Sequence, residues 1–237
     1  MIKSFSICGL SVQLDLRHST MISRAEKYLC ENIGSADIII PYCGQKIAQL
    51  CARQPHITAD SAENILTAEA FYKHLLKHNG FMLHSSAVVV DGRAYLFSAP
   101  SGTGKSTHTS LWLQEFGERA YILNDDKPAL RLTDSGEVLA YGTPWSGKSD
   151  LNVNTGVPVQ GICVLERAAE NFIHPMSDGD AVFSILNQTI RPTEESAMSL
   201  LLDYIDQTIK AVPVWRMGCN ISKDAALTAY NAMSKQQ

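Results

Sequence analysis

Residues 83–107 read LHSSAVVVDGRAYLFSAPSGTGKST. Two β-rich runs flank Asp91-Gly92, a dipeptide suited to the two positive-φ positions of a tight hairpin turn. With a two-residue turn there, Val90 faces Arg93, Val88 faces Tyr95 and His84 faces Ala99. The second strand runs directly into Ala99 to Ser106, APSGTGKS, which satisfies the Walker A pattern in the form that begins with Ala. Gly102 and Gly104 let backbone N–H groups converge on phosphate oxygens, and the helix that follows adds a favourable dipole. Lys105 is placed to reach the β- and γ-phosphates, and the Ser106 hydroxyl to ligate Mg²⁺.

Three further features surround this loop. A helix is predicted from Ser106 to Phe116 with a stop at Gly117, then a short strand, Ala120 to Leu123, ending in Asn124-Asp125-Asp126. Strand, loop, helix and strand make a βαβ unit whose right-handed crossover puts both strand C-termini on one edge of the sheet, where Asp125 and Asp126 can reach a metal on the nucleotide. His84, beside the first loop residue, is placed to contact the γ-phosphate or to orient an attacking hydroxyl. The loop Gly142 to Asn152 carries Trp145, Gly147 and Lys148; a Gly-Lys pair there could bind phosphate or substrate, or the loop could simply join two strands.

The rest of the 237-residue chain reads as intermixed strands and helices, so the class is α/β or α+β with a mixed sheet. A strand (Ser11 to Leu16), a helix (about Met21 to Asn32) and a short buried strand (Ile38 to Ile40) suggest a small accessory region over residues 1–60, ahead of a core over 61–237. Asp60 with Glu63 three residues on has the capping-box pattern for a helix that stops at Asn79-Gly80. A second hairpin is expected at Asp134-Ser135-Gly136 and a strand from Gly161 to Leu165. Helices Asp178–Ile190, Glu194–Lys210 and Lys223–Met233 are expected with caps at Ser177, Thr193 and Ser222, with a strand at Val212–Met217 between the last two.

Composition excludes several classes. With 45% hydrophobic and 19% charged residues and a formal net charge of -4, nothing favours bulk nucleic acid or an acidic membrane surface. The six cysteines show no C-x-x-C pair and no zinc spacing, as expected of thiols in a reducing compartment. The first residues lack a signal-peptide apolar core and no apolar run approaches a membrane span, so the expectation is a cytoplasmic protein.

The order LHSSAV, hairpin, APSGTGKST and ILNDD resembles the catalytic domain of the HPr kinase/phosphorylase family, whose nucleotide core is similar to that of ATP-dependent phosphoenolpyruvate carboxykinase. The resemblance spans about residues 60–235 and is densest from 82 to 127. It implies a P-loop core of that type, with ATP and Mg²⁺ as cofactors. Ser101, Gly102, Thr103, Gly104, Lys105, Ser106 and Thr107 would hold the phosphates; Ser106, Asp125 and Asp126 would serve the metal. It further implies that the two aspartates divide metal ligation and general-base work, with His84 near the transferred phosphoryl group and Lys105 among the catalytic set. After the aspartates, Lys127-Pro128 replace the usual arginine and TPWSGK replaces the signature loop, which points away from HPr as acceptor. The implied activity is transfer to a serine-like hydroxyl on a peptide or small molecule; family members are often oligomers. A nucleotide-binding helper without catalysis and a carboxykinase-like lyase are the alternatives.

Overall fold

The computed structural model describes residues 2–31 and 34–235. The chain opens with a hairpin of β1 (Ile2–Ile7) and β2 (Leu10–Asp15), then α1 (Ser19–Ala25) and the short β3 (Ile38–Ile40), which pairs parallel to β2. The helix expected to run to Asn32 ends earlier, with one 3-10 turn at Glu26–Tyr28, and Asn32 lies outside the described residues. Helices α2 (Gly44–Arg53) and α3 (Ala59–Leu75) follow, and then the hairpin partners β5 (Ser85–Val90) and β6 (Arg93–Ser98), preceded by β4 (Gly80–Met82).

That hairpin has the register read from Asp91-Gly92, Val90 facing Arg93 and Val88 facing Tyr95, with φ of 50° and 76° at the two turn residues. The ladder stops at Ser85–Ser98, one pair short of His84 and Ala99; there the Ser98 hydroxyl donates to the His84 carbonyl at 2.9 Å. After the glycine loop come α4 (Lys105–Phe116), β7 (Ala120–Asp126), the hairpin β8 (Ala129–Leu132) and β9 (Val138–Tyr141), and the long β10 (Gly156–Arg167). β11 (Phe172–Pro175), α5 (Asp178–Leu186), α6 (Glu195–Ala211), β12 (Val214–Cys219) and α7 (Asp224–Met233) complete the chain.

The central mixed sheet runs β4-β8-β9-β10-β6-β5-β7, with β12 also paired to β10 and β11 to β12. β6 and β7 are both antiparallel to β5 and so parallel to each other. Their C-termini share an edge as expected, but β5 lies between them, so the βαβ unit bridges a strand instead of joining neighbours. Period-two alternation sorts β5 and β6 onto two cores. Val88, Val90, Tyr95 and Phe97 pack with α4 and α7, while Ala87, Val89, Ala94 and Leu96 pack with α5 and α6. In the α4 core burial pushes His108 down to about 4, so the ring is neutral and its Nε2 accepts from Trp112 Nε1 at 3.2 Å.

The N-terminal sheet shares a third core with α3, built from Phe5, Val12, Leu14, Ile38 and Ile40 against Phe71, Tyr72 and Leu75. Trp145 belongs to it. Its ring is fully buried, stacks on Phe71 at 4.7 Å and donates from Nε1 to Thr67 Oγ1 at 3.0 Å, so the indole is an anchor of the glycine-rich loop and not a substrate contact. Trp145→Ala is expected to cost about 3–5 kcal/mol, read as a lowered midpoint in denaturant unfolding.

Several caps also differ from expectation. Thr58, not Asp60, caps α3, accepting from Ser61 N at 3.2 Å. Glu63 is buried and accepts from the backbone N–H groups of Arg17 and His18 at 2.9 and 3.0 Å, so its carboxylate ties the N-terminal region down instead of closing a capping box. Ser177 does cap α5, whereas Glu194 and Lys223 stand at the N-cap positions of α6 and α7 without a side-chain cap bond. Among the described residues no helix is long and apolar enough to cross a membrane.

Candidate active site

The ends of β6 and β7, the start of α4 and the loop after β9 meet at a cleft of about 520 Å³. It is lined by His84, Ser101, Gly102, Gly104, Lys105, Ser106, Thr107, Asp125, Asp126, Gly147 and Lys148. The structure thus brings together His84, Ser101, Gly102, Gly104, Lys105, Ser106, Thr107, both aspartates and Lys148, while Thr103 does not line this cleft and Trp145 is buried in the N-terminal core.

On the phosphate side, Gly102 and Gly104 take φ of 79° and 123°, backbone that a side chain would strain. α4 starts at Lys105 without a side-chain cap, so its first N–H groups are free to meet an anion. Lys105 donates from Nζ to the Ala99 carbonyl at 2.9 Å, which folds the ammonium back over the loop. Burial lowers its pKa, against the opposing pull of Asp126 and Asp125. Arg167, at the end of β10, donates to the Gly102 and Thr103 carbonyls at 2.6 and 3.3 Å and braces the loop from outside.

Across the cleft, His84 presents Nε2 to Asp126 Oδ1 at 3.3 Å, and its Nδ1 lies 2.9 Å from Gln188 Oε1. Lys127 pairs with the other oxygen of Asp126. Burial alone would raise the Asp126 carboxyl, but the His84 hydrogen bond and the Lys127 charge outweigh it and hold the group down at about 2. Asp125 differs: Ser149 Oγ donates to Oδ2 at 2.9 Å, while Oδ1 is buried without a protein partner. A carboxylate oxygen left unpartnered beside a phosphate loop and the Ser106 hydroxyl is the donor set a hard divalent cation takes, so these residues fit Mg²⁺.

The loop from Gly142 to Asn152 is held against β7 by its backbone. Gly147 N donates to the Asp125 carbonyl at 3.1 Å and Asp125 N to the Leu151 carbonyl at 3.0 Å. A Cβ on Gly147 would lie 2.6 Å from that same Asp125 oxygen. Gly147→Ala is therefore expected to force the loop and β7 apart and to destabilise the fold by about 1–3 kcal/mol, read as a lowered midpoint in denaturant unfolding.

A clamp that sequence reasoning missed comes from α1. Arg24 donates to the Ser146 and Gly147 carbonyls at 2.9 and 3.0 Å, and Tyr28 OH donates to Asn152 Oδ1 at 2.7 Å. The N-terminal region thus fixes the loop that shapes one wall of the cleft. No local signal links Arg24 to a loop more than a hundred residues away.

A family model described as SynChlorMet cassette protein ScmC matches residues 57–223. The chain belongs to this family. The ScmC match holds the hairpin, the phosphate loop, both aspartates and the Gly142–Asn152 loop, and leaves β1 to α2 outside it. No curated protein matches the chain. Among solved structures, this ScmC-family chain is similar to the Hpr(Ser) kinase/phosphatase from Coxiella burnetii, with 13% identity, a TM-score of 0.37, and coverage of 64% of this chain and 95% of that one.

Proposed function

We propose that the protein is an ATP- and Mg²⁺-dependent kinase that transfers the γ-phosphoryl group to a serine-like hydroxyl on a peptide or small molecule. The observation that carries this reading is the single cleft in which a phosphate loop with its lysine faces His84, Asp125 and Asp126. Bound metal would neutralise the β- and γ-oxygens; Ser106 and the aspartates would hold it. Lys105 and the α4 N-terminus would bind and orient the phosphates, while Lys148 adds positive charge at the far wall. The acceptor hydroxyl would give its proton to a carboxylate as its oxygen bonds to the γ-phosphorus and the bond to the ADP oxygen breaks. His84, held by Asp126 and Gln188, would fix the acceptor or the transferred group in line. Phosphoryl transfer asks a protein mainly for such positioning and charge, which suits this set of residues.

The test is incubation with γ-labelled ATP, Mg²⁺ and a panel of serine-bearing peptides and small molecules. Label is expected on an acceptor hydroxyl. ATP that binds tightly but is transferred to nothing in the panel would favour a nucleotide-binding helper instead.

A further inference from the structure

The N-terminal strands and α2, outside the ScmC match, form with α3 a surface that phosphoryl transfer does not use. β3 sits at the edge of its sheet, paired with β2 on one side and, among the described residues, with no strand on the other. Proteins blunt such edges with charges, prolines or bulges, because unpaired N–H and C=O groups recruit another strand. The three-residue run Ile38-Ile39-Ile40 carries none of these itself, and its pairing length is set by Asp37 before it and Pro41 after it. Ile38 and Ile40 are buried, while Ile39 stands 57% exposed on the face it shares with Ile2, Ser6, Ser11 and Gln13.

Beside this edge lies a groove of about 470 Å³ between β3, α2 and α3. Leu66 and Ala70 of α3 give it apolar surface, and Lys46 and Lys73 stand against the single carboxylate of Glu69. Glu69 is already paired with Lys73 at 2.5 Å, which leaves the groove with a net positive charge. Lys73 and His74 also line an adjoining depression of about 290 Å³ that adds Lys77 and Glu194, whose charges cancel, so the positive surplus stays at Lys46 and Lys73.

We propose that the open edge of β3 docks an extended acidic segment of a peptide, which joins the N-terminal sheet as a fourth strand. Main-chain bonds to β3 would hold it, alternate apolar side chains would rest on Leu66 and Ala70, and acidic ones would meet Lys46 and Lys73. This rests on the reading of the acceptor as a peptide: the docked segment is the part of the acceptor that is recognised, and the hydroxyl is elsewhere along it. The same N-terminal region grips the cleft wall through Arg24 and Tyr28, so a strand bound there joins a body already tied to the site.

The probe is a short fluorescein-labelled peptide of alternating valine and glutamate, followed by anisotropy without nucleotide. Two controls are a valine-lysine peptide and a valine-glutamate peptide with prolines set at alternate positions, which lack the needed N–H groups. Saturable binding of the first peptide alone is expected, weakened about tenfold in the Lys46→Glu/Lys73→Glu protein and by added salt. Both lysines lie on the surface, and an unchanged ATP isotherm shows that the variant is folded. The proposal is overturned by no saturable binding, by equal binding of the lysine or proline peptide, or by indifference to charge reversal. It is equally overturned if the protein is a dimer through β3 that the peptide does not dissociate, since a second copy then covers the edge. The two readings fail separately. Peptide binding with no phosphoryl transfer sinks the kinase and leaves the docking strand; transfer to small acceptors with no peptide binding does the reverse.

Discussion

Lys105→Met is expected to bind ATP about 100-fold more weakly than wild type while folding as well as or better than it. The first half follows from charge-assisted hydrogen bonds to phosphate, worth up to about 3 kcal/mol. The second half follows from where the ammonium sits. Burial depresses the Lys105 pKa in spite of two nearby carboxylates, so the folded chain holds a charge that the unfolded chain hydrates better. That penalty is complete below the lowered folded value and fades as pH rises from there to the ordinary lysine value of 10.5, above which both states are neutral. Methionine removes the penalty and the bond to the Ala99 carbonyl together, and the two losses offset. Calorimetric titration with ATP and with tripolyphosphate measures the affinity, and a thermal melt without ligand measures the fold. ATP at about 100 times its dissociation constant should stabilise wild type by about 2.7 kcal/mol and the variant far less. An unliganded melt that collapses in Lys105→Met would make the lysine a structural residue and remove the main support for a phosphate site.

The sequence divides into legible and illegible parts. Asp91-Gly92 could be read because a two-residue turn with both φ positive admits few dipeptides, and the turn alone fixes the register that brings His84 to the loop. The glycine loop could be read because its function is backbone geometry, which glycines announce. Trp145 could not. Its place against Phe71 depends on how the Gly142–Asn152 loop lies over α3, and a tryptophan in a polar loop looks the same whether it turns inward or outward. Glu63 shows the same failure within a motif: the spacing fits a local cap, but two backbone N–H groups 45 and 46 residues away compete for the carboxylate and win. The insertion of β5 between β6 and β7 was hidden because both arrangements bring the same strand ends to the same edge. The turn and the glycine loop were therefore legible ahead of the topology that joins them, since both are local features and strand order is not.

Asp126→Asn is expected to lower phosphoryl transfer by about 1000-fold and to leave ATP affinity within about tenfold of wild type. The carboxylate lies between His84 and Lys127, which hold it ionised by pulling its pKa from 3.8 to about 2 against the opposing effect of burial. The stabilisation this gives is complete above the ordinary value and is lost as pH falls from there through the folded value. Asparagine keeps the shape and removes the charge at every pH. His84 then loses its anchor, Lys127 its counter-charge, and the cleft one of the two carboxylates that oppose Lys105 and Lys148. Losing one preorganised electrostatic contact in a cleft costs about 100- to 1000-fold, and here the same change also frees the histidine. Asp125→Asn acts by another route. Its Oδ1 has no protein partner, so that variant should instead raise the Mg²⁺ concentration needed for half-maximal rate. Rates measured across Mg²⁺ concentration and across about pH 5 to 8 separate the two. In wild type Asp126 is ionised throughout that window, so any acid limb there belongs to another group and should persist in Asp126→Asn. If the acid limb vanishes in this variant, Asp126 is itself the titrating base, and the assignment of a permanently charged partner to His84 is wrong.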